Sequence, residues 1–219
     1  MKGMKRILSF FLTALTLLGF FSCGHSPALP PVREGEGVIE CAYPEIKPDF
    51  DAAYREADLV ALVRIGDWLG EDTEAHSTFF SAEIVRTYKG EAQSPIRLIQ
   101  DGDSGATAAG YPLFTAGNKM LLFLKKAEAE EEGTFWIYGS DTTVLDAVKL
   151  RKVTFFLPRA TGFGLSVKYC QNWMDGSGMK AVLSELLKRS DPLLDGDSRS
   201  FAFDEQDLSE RMKTLGAGS

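Results

Sequence analysis

Met120-Leu121-Leu122-Phe123-Leu124 decides the fold class of this chain. Five apolar residues in an unbroken run suit a strand buried on both of its faces. Upstream, Leu59-Val60-Ala61-Leu62-Val63-Arg64-Ile65 is a second strand, rich in Val, Leu and Ile. Residues 78–88 form a third, with Phe80, Ala82 and Ile84 on one face against Ser81 and Glu83 on the other. Lys89-Gly90 ends it, residues 96–100 follow as a short strand, and 101–110 read as a Gly/Ala/Ser/Asp loop. Downstream, the acidic residues 128–132 are the solvated tip of a hairpin that returns through Gly133 into 134–138. Residues 144–157 supply one or two further strands and 162–169 another.

Helices flank these strands. Asp49 caps a short one in which Phe50, Ala53, Tyr54 and Ala57 recur at helical spacing. Met179, Val182, Leu183, Leu186 and Leu187 trace a second, with Lys188 and Arg189 in a last turn that favours cations. The expected architecture is mainly β with flanking helices: an OB-like Greek-key barrel of five or six strands with a C-terminal helix, closure removing the sheet edges. The folded domain is expected over 38–190. Residues 191–219 are an acidic C-terminal tail whose apolar anchors are Phe201, Phe203, Leu208 and Met212.

The chain opens differently. Lys2, Lys5 and Arg6 precede fifteen uncharged residues, 7–21, and Ser22 stands before Cys23, the layout of a signal peptide over 1–22. The run is shorter than the ~20 apolar residues a helix needs to cross a bilayer. Leu18-Gly19-Phe20-Phe21-Ser22-Cys23 resembles the bacterial lipoprotein signal, although Phe21 is bulkier than that family prefers. The resemblance implies cleavage before Cys23, lipid on its sulfur, and often a further acyl chain on its amine. The expected location is the bacterial cell envelope, on the extracytoplasmic side of a membrane, with plain secretion the second reading. Residues 23–37, with Pro27, Pro30, Pro31, Gly35 and Gly37, form an extended tether.

The formal net charge is −7, and loss of the signal removes three positive charges. A chain this acidic is a poor partner for nucleic acid. Cys41 and Cys170 then remain, an even pair in an exported protein and so a disulfide candidate. Two buried thiols or a metal site are the competing readings. No cofactor motif is present: Ala160-Thr161-Gly162-Phe163-Gly164 lacks the third glycine of a phosphate-binding fingerprint.

Ala57-Asp58-Leu59-Val60-Ala61-Leu62-Val63, Ala82-Glu83-Ile84-Val85-Arg86-Thr87-Tyr88-Lys89-Gly90 and Gly117-Asn118-Lys119-Met120-Leu121-Leu122-Phe123-Leu124 resemble three successive strands of the TIMP-like (netrin-like) OB-fold. The resemblance covers roughly residues 41–173 and implies the barrel. Animal members inhibit metalloproteinases with a free N-terminal cysteine. That mechanism does not carry over, because Cys23 would be acylated and Cys41 lies inside the chain.

Candidate chemistry is sparse. Gly102-Asp103-Ser104-Gly105 matches the nucleophile motif of chymotrypsin-like proteases, with His76 upstream as the only histidine outside the tether. Only 28 positions separate the two, far fewer than in that family, so a polar loop is the simpler reading. Asp101-Gly102-Asp103 and Asp195-Gly196-Asp197 begin like calcium loops but lack the later Gly and Glu. Trp68, Trp136, Trp173, Tyr111 and Phe163 could stack on sugars, though core positions explain most of them. The sequence therefore points to a non-enzymatic binding module for an envelope protein or glycan. Its contacts are placed on loops 68–77 and 101–115, through Trp68, His76, Asp101, Asp103 and Tyr111. A serine-type envelope hydrolase using Ser104 and His76, or a protease-inhibitor-like protein, is the alternative.

Overall fold

β2 (Leu59–Asp72) pairs antiparallel with both β3 (Ser77–Lys89) and β6 (Lys119–Lys126). β3 pairs antiparallel with β4 (Ile96–Asp101), β4 runs parallel to β7 (Thr134–Ile137), and β7 closes antiparallel onto β6. These five strands form a closed barrel, ordered one, two, three, five, four around the ring, the OB-like arrangement. The computed structural model describes residues 38–39, 48–108, 111–159, 184–185 and 202–218. β8 (Leu145–Leu150) extends the sheet from β6, followed by β9 (Val153–Pro158) and β10 (Phe203–Asp204). β1 (Val38–Ile39) and β5 (Thr107–Ala108) make a separate two-stranded parallel pair. The protein is thus mainly β, with a C-terminal helix.

The apolar runs of β2 and β6 are explained by burial on both sides. Leu59, Ala61, Val63 and Ile65 point into the barrel with Met120, Leu122 and Leu124, against Phe80, Leu98 and Phe135. Val60, Leu62, Leu121 and Phe123, from the same two strands, point outward into a second core. That core is covered by two helices, α1 (Phe50–Glu56) and α2 (Glu205–Ala217), which bring Phe50, Ala53, Tyr54, Leu208 and Met212. Phe50 meets Phe123 edge-on, with ring centroids 5.3 Å apart. Each such fully buried side chain contributes about 2 kcal/mol or more of transfer free energy.

α1 starts where expected, with Asp49 accepting from the Ala52 N–H at 2.7 Å. Its far end is closed by Lys89, whose Nζ donates to the carbonyls of Tyr54 and Arg55. Gly90, next in line, sits at φ +75, and a Cβ there would lie 2.0 Å from the Asp58 carbonyl oxygen, so only glycine fits.

α2 lies within the stretch assigned above to an acidic tail, so the packed body includes those residues. Asp204 caps it, accepting from Asp207 N–H, and two ion pairs, Arg211 with Asp51 and Arg86 with Glu205, hold it down. Glu205 also accepts from the Tyr88 hydroxyl. Burial first, and then the Glu205 charge, push that phenol up to about 12. Of the expected helix near 179–189, residues 184 and 185 are described and helical. The rest of it, and the strand expected at 162–169, lie outside the described residues.

β2 continues to Asp72, well past Ile65. Register shifts between Ile65 and Trp68 and between Trp68 and Gly70 break the alternation that would have revealed the extension.

Candidate functional site

One end of the barrel gathers the end of β2, the start of β3, the end of β4 and the loop after it. Asp72 Oδ1 accepts from the Glu74 and Ala75 N–H groups, turning the chain tightly into His76. His76 has φ 48, an uncommon left-handed conformation for a side-chain-bearing residue. Its carbonyl accepts from the Gly102 N–H at 2.6 Å, and Thr78 Oγ1 donates to the Gly102 carbonyl at 2.7 Å. These bonds continue the β3–β4 ladder into the loop.

The side chains then form two clasps. His76 Nδ1 lies 2.7 Å from Asp103 Oδ2, while Asp103 Oδ1 accepts from the N–H groups of Gly105 and Ala106, each at 2.8 Å. Asp103 is 3% exposed. Burial pushes its carboxyl up, but the bonds from His76, Gly105 and Ala106 more than offset this and hold it below the ordinary carboxylate value. It is therefore ionised at neutral pH. Nδ1 must carry a proton to donate to it, which leaves the lone pair of the neutral ring on Nε2 of a half-exposed histidine. In the second clasp Ser104 donates to Glu71 twice, from its N–H at 3.0 Å and from Oγ at 2.8 Å. Beside them Ser140 Oγ donates to Asp101 Oδ2 at 2.6 Å.

The expected site residues separate into groups. His76, Asp101, Asp103 and Ser104 come together on this rim, and Glu71 joins them. Tyr111 is half-buried next to the segment that Gln100 pins, through Pro112 carbonyl and Phe114 N–H. Trp68 points inward and packs on the barrel core, with its Nε1 buried and lacking a hydrogen-bond partner. Cys23, Cys41, Cys170, Trp173 and Phe163 lie outside the described residues.

Chemically, a buried carboxylate on Nδ1 orients an imidazole as a base, but a serine nucleophile must hand its proton to that imidazole. Here the Ser104 hydroxyl is directed to Glu71. Each member of the proposed pair holds a carboxylate of its own. Among the described residues, no group of three or more His, Cys, Asp or Glu side chains is placed to hold a metal ion. Asp101 is engaged by Ser140, and Asp103 by His76, Gly105 and Ala106. The pairing of His76 with Asp103 and Ser104 with Glu71 carried no sequence signal, because each joins segments about thirty positions apart that only strand pairing brings together.

A second surface lies on the barrel wall. Gly70, Phe79, Ile99, Trp136 and Lys125 are register partners in turn across all five barrel strands. Their chain neighbours Phe80, Leu98 and Phe135 fill the barrel, so Phe79, Ile99 and Trp136 face outward. Trp136 is 40% exposed and its ring lies 6.1 Å from that of Tyr138. The Arg97 guanidinium sits 4.3 Å over the Phe79 ring.

Fold and site together define the class: a closed OB-like barrel with a self-bonded polar rim and an aromatic wall. No family model matches the chain, and no curated protein matches it.

Proposed function

We propose that this chain is an exported bacterial lipoprotein, anchored through acyl chains on Cys23, that serves in the cell envelope as a non-enzymatic binding module for a protein or glycan. The observation that carries the non-enzymatic reading is the rim. Ser104 and His76 are each bonded to a carboxylate, Glu71 and Asp103, where a nucleophile and its base would be bonded to each other. The address rests on the basic, apolar, cysteine-ended start of the chain.

Two measurements test it. Intact mass spectra of the membrane-extracted protein should give a chain starting at Cys23 plus acyl chains, and Cys23→Ser should lose them. An unmodified chain cut elsewhere would overturn the anchor and leave plain secretion. A fluorophosphonate probe should leave Ser104 unlabelled, and labelling that disappears in both Ser104→Ala and His76→Ala would establish the hydrolase instead.

A further inference from the structure

We infer that the tip of the β8–β9 hairpin, Lys149 to Val153, is a second membrane contact that docks on the anionic phosphate headgroups of the bilayer holding the anchor. The inference rests on the anchored-lipoprotein reading, which supplies the bilayer.

The hairpin is closed by Leu150 and Val153, with Arg151 and Lys152 between them. Lys149, Arg151 and Lys152 are all exposed, and none of them is in an ion pair with a described residue. By contrast, Arg64, Arg86, Arg97, Arg159 and Arg211 each meet a carboxylate. No Asp or Glu occurs from Ala147 to Arg159. In a chain with a net charge of −7, three cations left together without carboxylates are an exception. Arg151 has φ 56, a conformation that Gly or Asn adopts at lower cost, so a cation occupies a turn position where stability alone favours another residue. Beside the cations, Val153 is 43% exposed and shares a face with its register partner Leu150. An apolar tip flanked by cations matches the boundary between headgroups and acyl chains. A tip this small is far short of the ~800 Å² per partner of a standard protein interface, which favours a lipid surface over an acidic protein.

Topology turns the tip toward the anchor. β8 meets β6 at Leu121 and Met120 and runs on past the start of β6, so the hairpin projects at the barrel end that carries the rim. β1 pairs with β5 in the loop after β4, so the chain from Cys23 enters at that same end. Residues 23–37 span at most about 50 Å when fully extended, which keeps the hairpin within reach of the bilayer. The exposed Asp67, Asp72 and Glu74 stand on the β2–β3 corner, on the other side of β6 from β8. An anionic surface repels that corner and attracts the hairpin, and so tilts the barrel onto its basic side. Screening over ~8 Å at physiological ionic strength lets the local charge outweigh the net charge. Each cation brought to such a surface strengthens binding about fivefold, and three together about a hundredfold.

The test places residues 24–219, which hold every described residue, on nickel-chelating vesicles through an N-terminal polyhistidine tag, so it is independent of whether Cys23 is acylated. Val153→Trp serves as the reporter, its quenching by brominated phosphatidylcholine read as the excess over the chain with Val153 in place. Adding about 30 mol% phosphatidylglycerol should raise that excess about twofold or more, and ~0.5 M salt should cancel the rise. Lys149→Glu/Lys152→Glu should abolish it, whereas Lys126→Glu/Lys213→Glu, the same charge change elsewhere on the surface, should leave it. Unchanged thermal melting would show that these surface variants fold. Equal quenching with and without phosphatidylglycerol, or a rise that survives the hairpin reversal, would overturn the docking tip while leaving the anchor to its own mass-spectrometric test.

Discussion

The wall made by β2 and β6 and the wall made by β3, β4 and β7 belong to one closed barrel, yet they treat water oppositely. In the first, alternate residues enter either the barrel core or the core beneath the helices, so Val60, Leu62, Leu121 and Phe123 are as buried as Leu59, Ala61 and Leu122. In the second, Phe80, Leu98 and Phe135 are buried while Phe79, Ile99 and Trp136 remain partly in water. Energetic sensitivity should therefore concentrate on one wall and contact chemistry on the other.

The strongest challenge to this contrast is Phe123→Ala. It empties an outward-facing site of the double-faced wall against Phe50 and should cost about 4 kcal/mol in urea unfolding. A loss below about 1 kcal/mol would mean that the helices do not seal that face. Next comes Asp146→Ala on β8, which pairs with β6. Asp146 Oδ1 accepts from Nε and Nη2 of the fully buried Arg159, whose Nη1 already lacks a partner. Stranding that cation should cost about 3 kcal/mol, and the double variant Asp146→Ala/Arg159→Met should recover most of it.

The rim, where the two walls meet, should respond to pH. Asp103 titrates lower in the folded protein than in the unfolded chain, so its clasp stabilises fully above the unfolded value near ~3.9 and is lost as pH falls through the lower folded value. Asp103→Asn should cost about 2 kcal/mol at neutral pH and flatten that acid limb. Equal acid slopes in the two proteins would remove the clasp from the account. Smallest of all, Ile99→Thr on the single-faced wall should change stability by about 0.5 kcal/mol or less, while a loss like that of Phe123→Ala would erase the distinction between the walls.

The same contrast explains what was legible in the sequence. Met120 to Leu124 reads as a strand because burial on both faces leaves no polar interruption, and β3 reads as one because burial on one face leaves a strict alternation. The second half of β2 was hidden because its bulges break both patterns around Gly66 and Gly70. α2 was legible in part. Leu208, Met212 and Leu215 recur at i, i+4 and i+7 behind the capping Asp204, but the acidic composition around them suggested a tail. The candidate site was less visible. His76 and Asp103 could be singled out as polar loop residues, whereas their pairing depends on β3–β4 register, and the Phe79–Ile99–Trp136 row exists only once three strands are aligned.

The placement of α1 and α2 has a practical corollary. These helices open and close the main packed body, and they lie side by side over β2 and β6, joined by Arg211 and Asp51. On the barrel ring β4 stands opposite that pair of strands. The molecule thus has a mounting side and a presenting side: a reporter or affinity label joined beyond α2 would emerge on the mounting side, leaving Ile99 and Trp136 turned toward whatever the barrel faces.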